Sequence, residues 1–393
     1  MKNTRKTAAR PGAPRKVFPF FLPPGGARLG LLRSCDWDTE ISDDMRISSA
    51  VSALPKHYYP QSVLIEAFRR HWGPRMDRFS VLERLHAATQ VEGRYLALPM
   101  EAYPLRDWGA ANDAWIAASL DLGERAVCGA MQQAGVSPKD IGAAFFVSIT
   151  GVASPSIEAR LINRMGLSPR MKRIPIFGLG CVAGAAGIAR AADYVRAFPR
   201  EACLLLSVEL CSLTVQQDDL SPANLISSGL FGDGAAAVIV SGSELDAAPG
   251  PAIVATRSTF YPDTEYVMGW DISHKGFKIV LSRDVPDVVI NNLGRDAKEF
   301  LSDQGLDMKD IGSWVIHTGG PKVLEATATA LGLTNGALDI SWECLRRTGN
   351  LSSASVLLVL EEVIKNQRPR PGTWGIMAAM GPGFCSELLL LKW

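Results

Sequence analysis

One cysteine of this 393-residue chain sits where a thiol could be made nucleophilic. Residues 173–187 read Arg-Ile-Pro-Ile-Phe-Gly-Leu-Gly-Cys-Val-Ala-Gly-Ala-Ala-Gly, and a helical run follows over 188–198. An apolar strand ending at Phe177, a glycine turn and a helix place Cys181 where the helix begins. Unpaired backbone N–H groups there carry partial positive charge and favour thiolate over thiol. Such settings can lower a cysteine pKa from about 8.5 into the ~3.5–7.5 range. Gly178, Gly180, Gly184 and Gly187 let a ligand approach the sulfur, so the expected chemistry is attack on an acyl group. Two other readings use the same residues. A cysteine is often a small buried apolar filler, and Gly178, Gly180 and Ala183 satisfy a G-x-G-x-x-A dinucleotide fingerprint. The second lacks an acidic residue about twenty positions on at the end of a second strand, and Cys181 fills the loop where a pyrophosphate would pack.

A nucleophilic thiol needs partners from elsewhere in the chain. Of five histidines, at 57, 71, 86, 274 and 317, only His317 ends an apolar strand before a glycine turn, in Trp-Val-Ile-His-Thr-Gly-Gly-Pro (314–321). Asn350 opens an apolar helix, where Asn also serves as an N-cap. Taken together the three fit thioester chemistry. A His⁺ beside the cysteine stabilises a thiolate, while a neutral imidazole N–H and a carboxamide N–H can hold a developing oxyanion. No acidic orienter is required if the carbanion arises by decarboxylation.

The elements that must position these groups alternate. Regular structure is expected from residue 45, with helices over 61–71 and 110–134, a strand over 141–149 and a helix over 155–165. The Cys181 strand–helix unit leads to buried strands over 202–208 and 234–240. After a linker at 243–251 the pattern restarts, with a strand over 311–318, the Asn350 turn and helix, and closing strands over 375–380 and 386–391. Alternating strands and helices imply layered α/β architecture. A small-residue turn opening a nonpolar helix occurs in each half, which predicts a duplication with two helix N-termini facing one cleft.

Composition bounds the alternatives. A 47% hydrophobic chain with 36 glycines and 24 prolines suits a loop-rich α/β protein too long for one core. A net charge of +1 argues against broad nucleic-acid or membrane-surface binding. Seven cysteines without C-x-x-C or metal spacing fit reduced thiols in the cytoplasm, with no metal expected. No apolar run is long enough to span a bilayer, so no stable membrane insertion is expected. Residues 1–44 are expected to be irregular, and the first sixteen carry six basic residues and no acid, which reads as a basic tail.

The ordered motifs G-C-x-x-G at Cys181, Leu-Phe-Gly-Asp-Gly-Ala-Ala-Ala (230–237), H-x-G-G-P at His317, G-N-x-S-S-A at Asn350 and Gly-Pro-Gly (381–383) together resemble the type III polyketide synthases. These are the chalcone-synthase-like branch of the thiolase superfamily, and the resemblance runs from about residue 45 to 393. It implies a thiolase-like five-layered αβαβα fold of two duplicated halves, here 45–242 and 252–393, and a homodimer. It also implies a Cys181–His317–Asn350 triad acting on acyl-CoA and malonyl-CoA as substrates, with no cofactor. Phe231 resembles the aromatic between the CoA tunnel and the cavity. Cavity positions are expected at Ile149, Thr150, Ser154, Cys211, Thr214, Trp270 and Ile279, and at the Gly381, Pro382 and Gly383 loop. Arg69 and Arg70 are candidates for gripping CoA phosphates. Two departures stand out: Ala379-Met380 precede the Gly-Pro-Gly, and Ile279 replaces a second family aromatic, with Phe277 two positions earlier. Small side chains in the cavity favour, by this resemblance, a bacterial long-chain member: a fatty acyl-CoA starter, two or three malonyl-CoA units and an alkylpyrone or alkylresorcinol product. An initiating β-ketoacyl-ACP synthase and a silent acyl-binding scaffold are the competing readings.

Overall fold

Strands with apolar side chains on both faces must be covered on both faces, and this chain builds its sheets that way. The computed structural model describes residues 45–334 and 336–393; the expected basic tail lies outside them. Among the described residues the strands are β1 (Arg46–Ala53), β2 (His57–Pro60), β3 (Gly93–Leu96), β4 (Ile141–Val147), β5 (Lys172–Ile176), β6 (Ala202–Leu210) and β7 (Asp233–Ser241). They continue with β8 (Ala252–Phe260), β9 (Met268–Ser273), β10 (Gly276–Leu281), β11 (Ile311–Ile316), β12 (Trp374–Gly381) and β13 (Cys385–Lys392). The α-helices are α1 (Gln61–Trp72), α2 (Ser80–Ala88), α3 (Trp108–Ala134), α4 (Ile157–Met165) and α5 (Ala183–Ala197). After them come α6 (Pro222–Leu230), α7 (Val285–Ser302), α8 (Pro321–Leu331), α9 (Asp339–Thr348) and α10 (Ser353–Glu362).

Nine strands form one sheet in the order β11-β12-β13-β8-β1-β7-β6-β4-β5. The pairing β4∥β6, β6 antiparallel to β7, β7 antiparallel to β1 recurs as β11∥β12, β12 antiparallel to β13, β13 antiparallel to β8. The two repeats meet through one residue pair of β1 and β8, Arg46 opposite Ala252. Three apolar clusters separate the layers. One joins α5 and α10 to the inner faces of both repeats. The second packs α3 and α4 on the outer face of the first, and the third packs α7 and α8 on the outer face of the second. Helix, sheet, helix, sheet, helix is the five-layered αβαβα arrangement, built twice. No helix among the described residues is long and apolar enough to cross a membrane.

Several boundaries move for local reasons. The helix expected over 110–134 begins at Trp108 because Asp107 accepts the Ala110 N–H at 2.8 Å, and it stops at Gly135 in the left-handed region. The strand expected over 141–149 stops at Val147, since Ser148 and Thr150 turn their hydroxyls onto Glu209. Helix α4 starts at Ile157 and strand β11 stops at Ile316, one residue before the histidine. Two short antiparallel pairs, β2–β3 and β9–β10, flank the main sheet.

Candidate active site

Strand β5 delivers the chain to the nucleophile turn. Gly178 (φ +99°) and Gly180 (φ +53°) occupy conformations that disfavour a side chain, and residues 180–182 form a single 3₁₀ turn running into α5. A Cβ on Gly180 would lie 2.8 Å from Pro382 Cδ and 3.3 Å from Ile149 Cδ1. One on Gly184 would lie 2.2 Å from the Ser353 carbonyl oxygen, so the first turns of α5 and α10 touch. The two helix N-termini are thereby brought face to face. Cys181 is 5% exposed at this junction.

The second repeat supplies the other two groups. His317 follows β11, with its backbone N–H donating to Ala378 of β12 at 3.0 Å. Its ring is 5% exposed, and neither nitrogen has a hydrogen-bond partner among the described residues. Asn350 lies between α9 and α10. Its N–H donates to Leu230 O at 2.9 Å and its carbonyl accepts from Gly232 N at 3.0 Å, pairing it with the Phe231 segment. Its side-chain oxygen accepts from Ser352 N at 2.8 Å and from the Ser355 hydroxyl at 3.3 Å. That leaves the amide nitrogen as the free end, and the Asn350 side chain is near enough to Cys181 to favour its thiolate. Cys181, His317 and Asn350 line one cavity of ≈ 30 Å³ together with Met268, Met380 and Phe384.

Electrostatics in this dry pocket differ from the sequence expectation. Burial pushes the Cys181 thiol up to about 12, against the Ser352 and Asn350 hydrogen bonds that pull it down, and nearby Glu209 raises it further. Burial also lowers His317 to about 4. A resting thiol beside a neutral imidazole therefore replaces the expected thiolate and imidazolium, because desolvation outweighs the partial charge of a helix N-terminus. A neutral imidazole with two free nitrogens is still equipped to accept the thiol proton and then to donate a hydrogen bond.

A second cavity of ≈ 30 Å³ brings together Thr150, Cys211, Thr214, Phe231, Trp270 and Ile279, with Ser352 in its wall. Ser352 Oγ stands 3.6 Å from Cys181 Sγ, so one wall residue of this space touches the thiol. Other expected positions fall elsewhere. Ile149 packs against the nucleophile turn, its N–H donating to Glu209 at 3.1 Å. Ser154 is exposed on the loop before α4. Gly381, Pro382 and Gly383 line neither cavity; Pro382 abuts Gly180, a Cβ on Gly381 would meet Val182 N at 2.7 Å, and Gly383 sits against Phe260. Phe277 does not line the second cavity; its ring meets Trp108 edge-on and lies tilted against Phe177 and Trp270. Arg69 and Arg70 are exposed on α1, and Arg69 spends its guanidinium on Glu66 and Glu83.

Sequence reasoning missed Glu209 and Ser352. Glu209 is wholly buried in β6 and accepts from Ile149 N, the Thr150 hydroxyl at 3.0 Å, Ser148 at 3.3 Å and Ser353. The available signal was a lone carboxylate in an otherwise apolar strand, Ala-Cys-Leu-Leu-Leu-Ser-Val-Glu-Leu. Ser352 adopts φ +49°, and nothing in its residue type announces that.

Comparison with known proteins settles the family. The N-terminal domain of the chalcone and stilbene synthases matches residues 45–244 and their C-terminal domain matches residues 252–393. The chain belongs to the chalcone and stilbene synthase family of type III polyketide synthases. It is 50% identical over 359 residues to a 1,3,6,8-tetrahydroxynaphthalene synthase of Streptomyces peucetius subsp. caesius, covering 90% of this chain and 95% of that one. It is 31% identical to the alpha-pyrone synthesis polyketide synthase-like Pks18 of Mycobacterium tuberculosis, covering 69% of each. Among solved structures it resembles the 1,3,6,8-tetrahydroxynaphthalene synthase of Streptomyces coelicolor A3(2), with TM-score 0.84, 30% identity, and 88% and 99% of the two chains covered. As a type III polyketide synthase the chain is a condensing acyltransferase, with the thiolase-like fold described above.

Proposed function

We propose that this synthase loads a short acyl group from CoA onto Cys181, extends it with malonyl units and closes the product into an aromatic polyketide. The observation that carries the reading is the shared cavity of Cys181, His317 and Asn350, in which the Asn350 oxygen is tied back and its amide nitrogen is left free near the sulfur. His317 takes the Cys181 proton as the thiol attacks the starter thioester, and CoA leaves as its thiol. The malonyl thioester then places its carbonyl oxygen between the His317 N–H and the Asn350 amide. These donors stabilise the enolate left when CO₂ departs. The apolar wall of Met268, Met380 and Phe384 keeps water from a carboxylate about to lose its charge. The enolate carbon attacks the Cys181 thioester, the thiolate leaves, and the lengthened chain, now a CoA thioester, is transferred back to the Cys181 sulfur as CoA departs.

Cavity size favours a short starter. The acyl cavity is narrow, ≈ 30 Å³ between Phe231, Trp270 and Ile279. The name of the Streptomyces peucetius relative, a 1,3,6,8-tetrahydroxynaphthalene synthase, points the same way, since that product is a fused aromatic without an alkyl chain. A fatty acyl starter and an alkylpyrone or alkylresorcinol product form the second reading. The Pks18 relative favours it, as does a chamber of ≈ 120 Å³ beyond Phe231, walled by Leu64, Phe68, Leu96 and Met100. Offering malonyl-CoA alone, then with acetyl- to dodecanoyl-CoA, and resolving products by mass spectrometry separates the two. A fused aromatic from malonyl-CoA alone supports the first; dominant long-chain pyrones would overturn it. The same reading includes CoA held near Arg70 and a homodimer in the cytoplasm. Strand β5 at the open edge of the sheet and the 49% exposed Phe177 after it are suited to burial against a second copy.

A further inference from the structure

Behind Phe231 lies a chamber that the proposed cycle leaves without a role. It shares Cys211, Val215, Ser227 and Phe231 with the acyl cavity, so the two spaces are neighbours across those side chains. Its walls from α1, β3 and the following loop are mostly apolar, yet Arg94 lies among them, 3% exposed. The guanidinium donates from Nη1 to Phe231 O at 2.7 Å. Its Nε has no partner among the described residues, and it forms no ion pair there. Asp233 is near enough to interact by charge. Its oxygens, however, accept from Ala97 N at 2.6 Å, Ser212 N at 2.8 Å and the Ser212 hydroxyl. Two more unpartnered polar atoms belong to residues of the same wall, His71 Nε2 and Ser227 Oγ. Burial lowers Arg94 to about 10, which still leaves it cationic at neutral pH.

Asp233 faces Arg94 by charge but is hydrogen-bonded elsewhere, so the buried Nε stays unsatisfied; an unpaired buried donor is costly, and an anionic oxygen brought to this wall would relieve that cost. We propose that this chamber is a carboxylate subsite, in which Arg94, assisted by Ser227 and His71, receives the free carboxylate at the far end of a short dicarboxylic acyl group held on Cys181. The inference rests on the reading that Cys181 carries the acyl group. A volume of ≈ 120 Å³ suits a carboxylate on a stem of a few carbons. An alkyl end of equal length would fill the space and leave the donors unsatisfied. The subsite is thus a filter on starter chemistry at fixed chain length.

The test is initial loading of Cys181, read by intact-protein mass spectrometry, with matched pairs of thioesters: succinyl-CoA against butyryl-CoA, and glutaryl-CoA against pentanoyl-CoA. Neither diacid loses CO₂ by the malonyl route, so loading is read without extension. The native protein should load the dicarboxylic member of a pair about ten- to a hundredfold faster, the discrimination of one hydrogen bond to a charged group. Arg94→Gln should bring that ratio close to one, and Arg94→Lys should restore part of it. Equal loading of both members by the native protein overturns the proposal, and that comparison stands even if Arg94→Gln folds poorly. A soluble Arg94→Gln protein that keeps the preference overturns it too, leaving Arg94 as a support for Phe231. Release of CO₂ from malonyl-CoA is followed in the same preparations. Its loss would count against the roles of His317 and Asn350, whereas a missing ratio with CO₂ release intact counts against the subsite alone.

Discussion

The two repeats of this fold place helix N-termini at the same spot and put opposite chemistry on them. In the first, β5 feeds a glycine turn and Cys181 precedes α5; in the second, α9 feeds the turn and Asn350 precedes α10. The second repeat has no counterpart of β5, and its sheet ends at β11. Close contact is bought with a missing side chain at Gly184, whose Cβ would strike the Ser353 carbonyl. Duplication therefore fixes where two polar groups meet, and under the proposed function the residue at each site decides which is nucleophile and which is donor. His317 has its positional equivalent at the end of β4, in Ser148 and Thr150, whose hydroxyls are spent on Glu209. The first repeat uses that place for structure, and the second leaves both imidazole nitrogens unpartnered.

Removing the nucleophile breaks this comparison hardest. Cys181→Ala should suppress acyl loading by about 10⁴-fold or more, the scale of losing a covalent nucleophile. Mass spectrometry after incubation with an acyl-CoA should find no adduct, and an adduct on that variant would move the nucleophile elsewhere. On the donor side, Asn350→Ala and His317→Ala should each slow CO₂ release from malonyl-CoA by about 10²–10³-fold, the cost of one oxyanion donor. Starter loading should suffer less in Asn350→Ala than in His317→Ala, because only the imidazole accepts the thiol proton. Equal damage to both steps in both variants would erase the division of labour.

Charge state offers a gentler probe. Burial holds His317 at about 4 in the folded protein against 6.5 when exposed. The folded state thus favours the neutral ring, and as pH falls the unfolded chain takes up the proton first. The contribution is present in full above pH 6.5 and drains away toward pH 4. Between pH 7 and pH 5 that site should cost about 2 kcal/mol of unfolding free energy. Denaturant titrations at the two pH values should show a smaller loss for His317→Gln than for the native protein. His86, buried in α2 and lowered by burial to about 3, adds a similar slope that His317→Gln leaves in place.

Much of this was legible in residue types. The runs 202–210 and 233–241 are apolar on both faces, which announces strands buried on both sides, and the small residues around Cys181 and Asn350 announce two turns opening buried helices. Helices α7 to α9 escaped notice because their apolar residues are interrupted by charge at a period that blends into the loops around them. The site was legible where a motif carries its own geometry, as at Cys181, His317, Asn350 and Phe231. It was not legible where a side chain acts through a distant contact. Ile149 and Pro382 lie near the thiol in sequence motifs, yet both wedge the turn through Gly180. Arg94 belongs to no motif, and only its burial against Phe231 brings it to notice. The thiol's expected acidity failed because sequence shows a helix N-terminus but not how completely the pocket excludes water.

The smallest effect tests the turn geometry itself. Gly180 and Ser352 both adopt positive φ, +53° and +49°, one on each side of the thiol. The first is glycine and the second is not, so only the second repeat stores strain there, of order 1–3 kcal/mol. Ser352→Gly should release part of it, raising stability by about 1 kcal/mol after glycine's own entropic cost. Deleting the hydroxyl 3.6 Å from the sulfur also removes a hydrogen bond that pulls the thiol downward, so loading at neutral pH should slow by a few-fold at most. The converse change, Gly180→Ser, should lose stability, because its Cβ would collide with Pro382. Calorimetry on the two variants gives opposite signs if the turns are strained alike in geometry and unlike in residue. Matching signs would mean that the second repeat holds Ser352 in place at no cost, with its turn shaped by packing from α10.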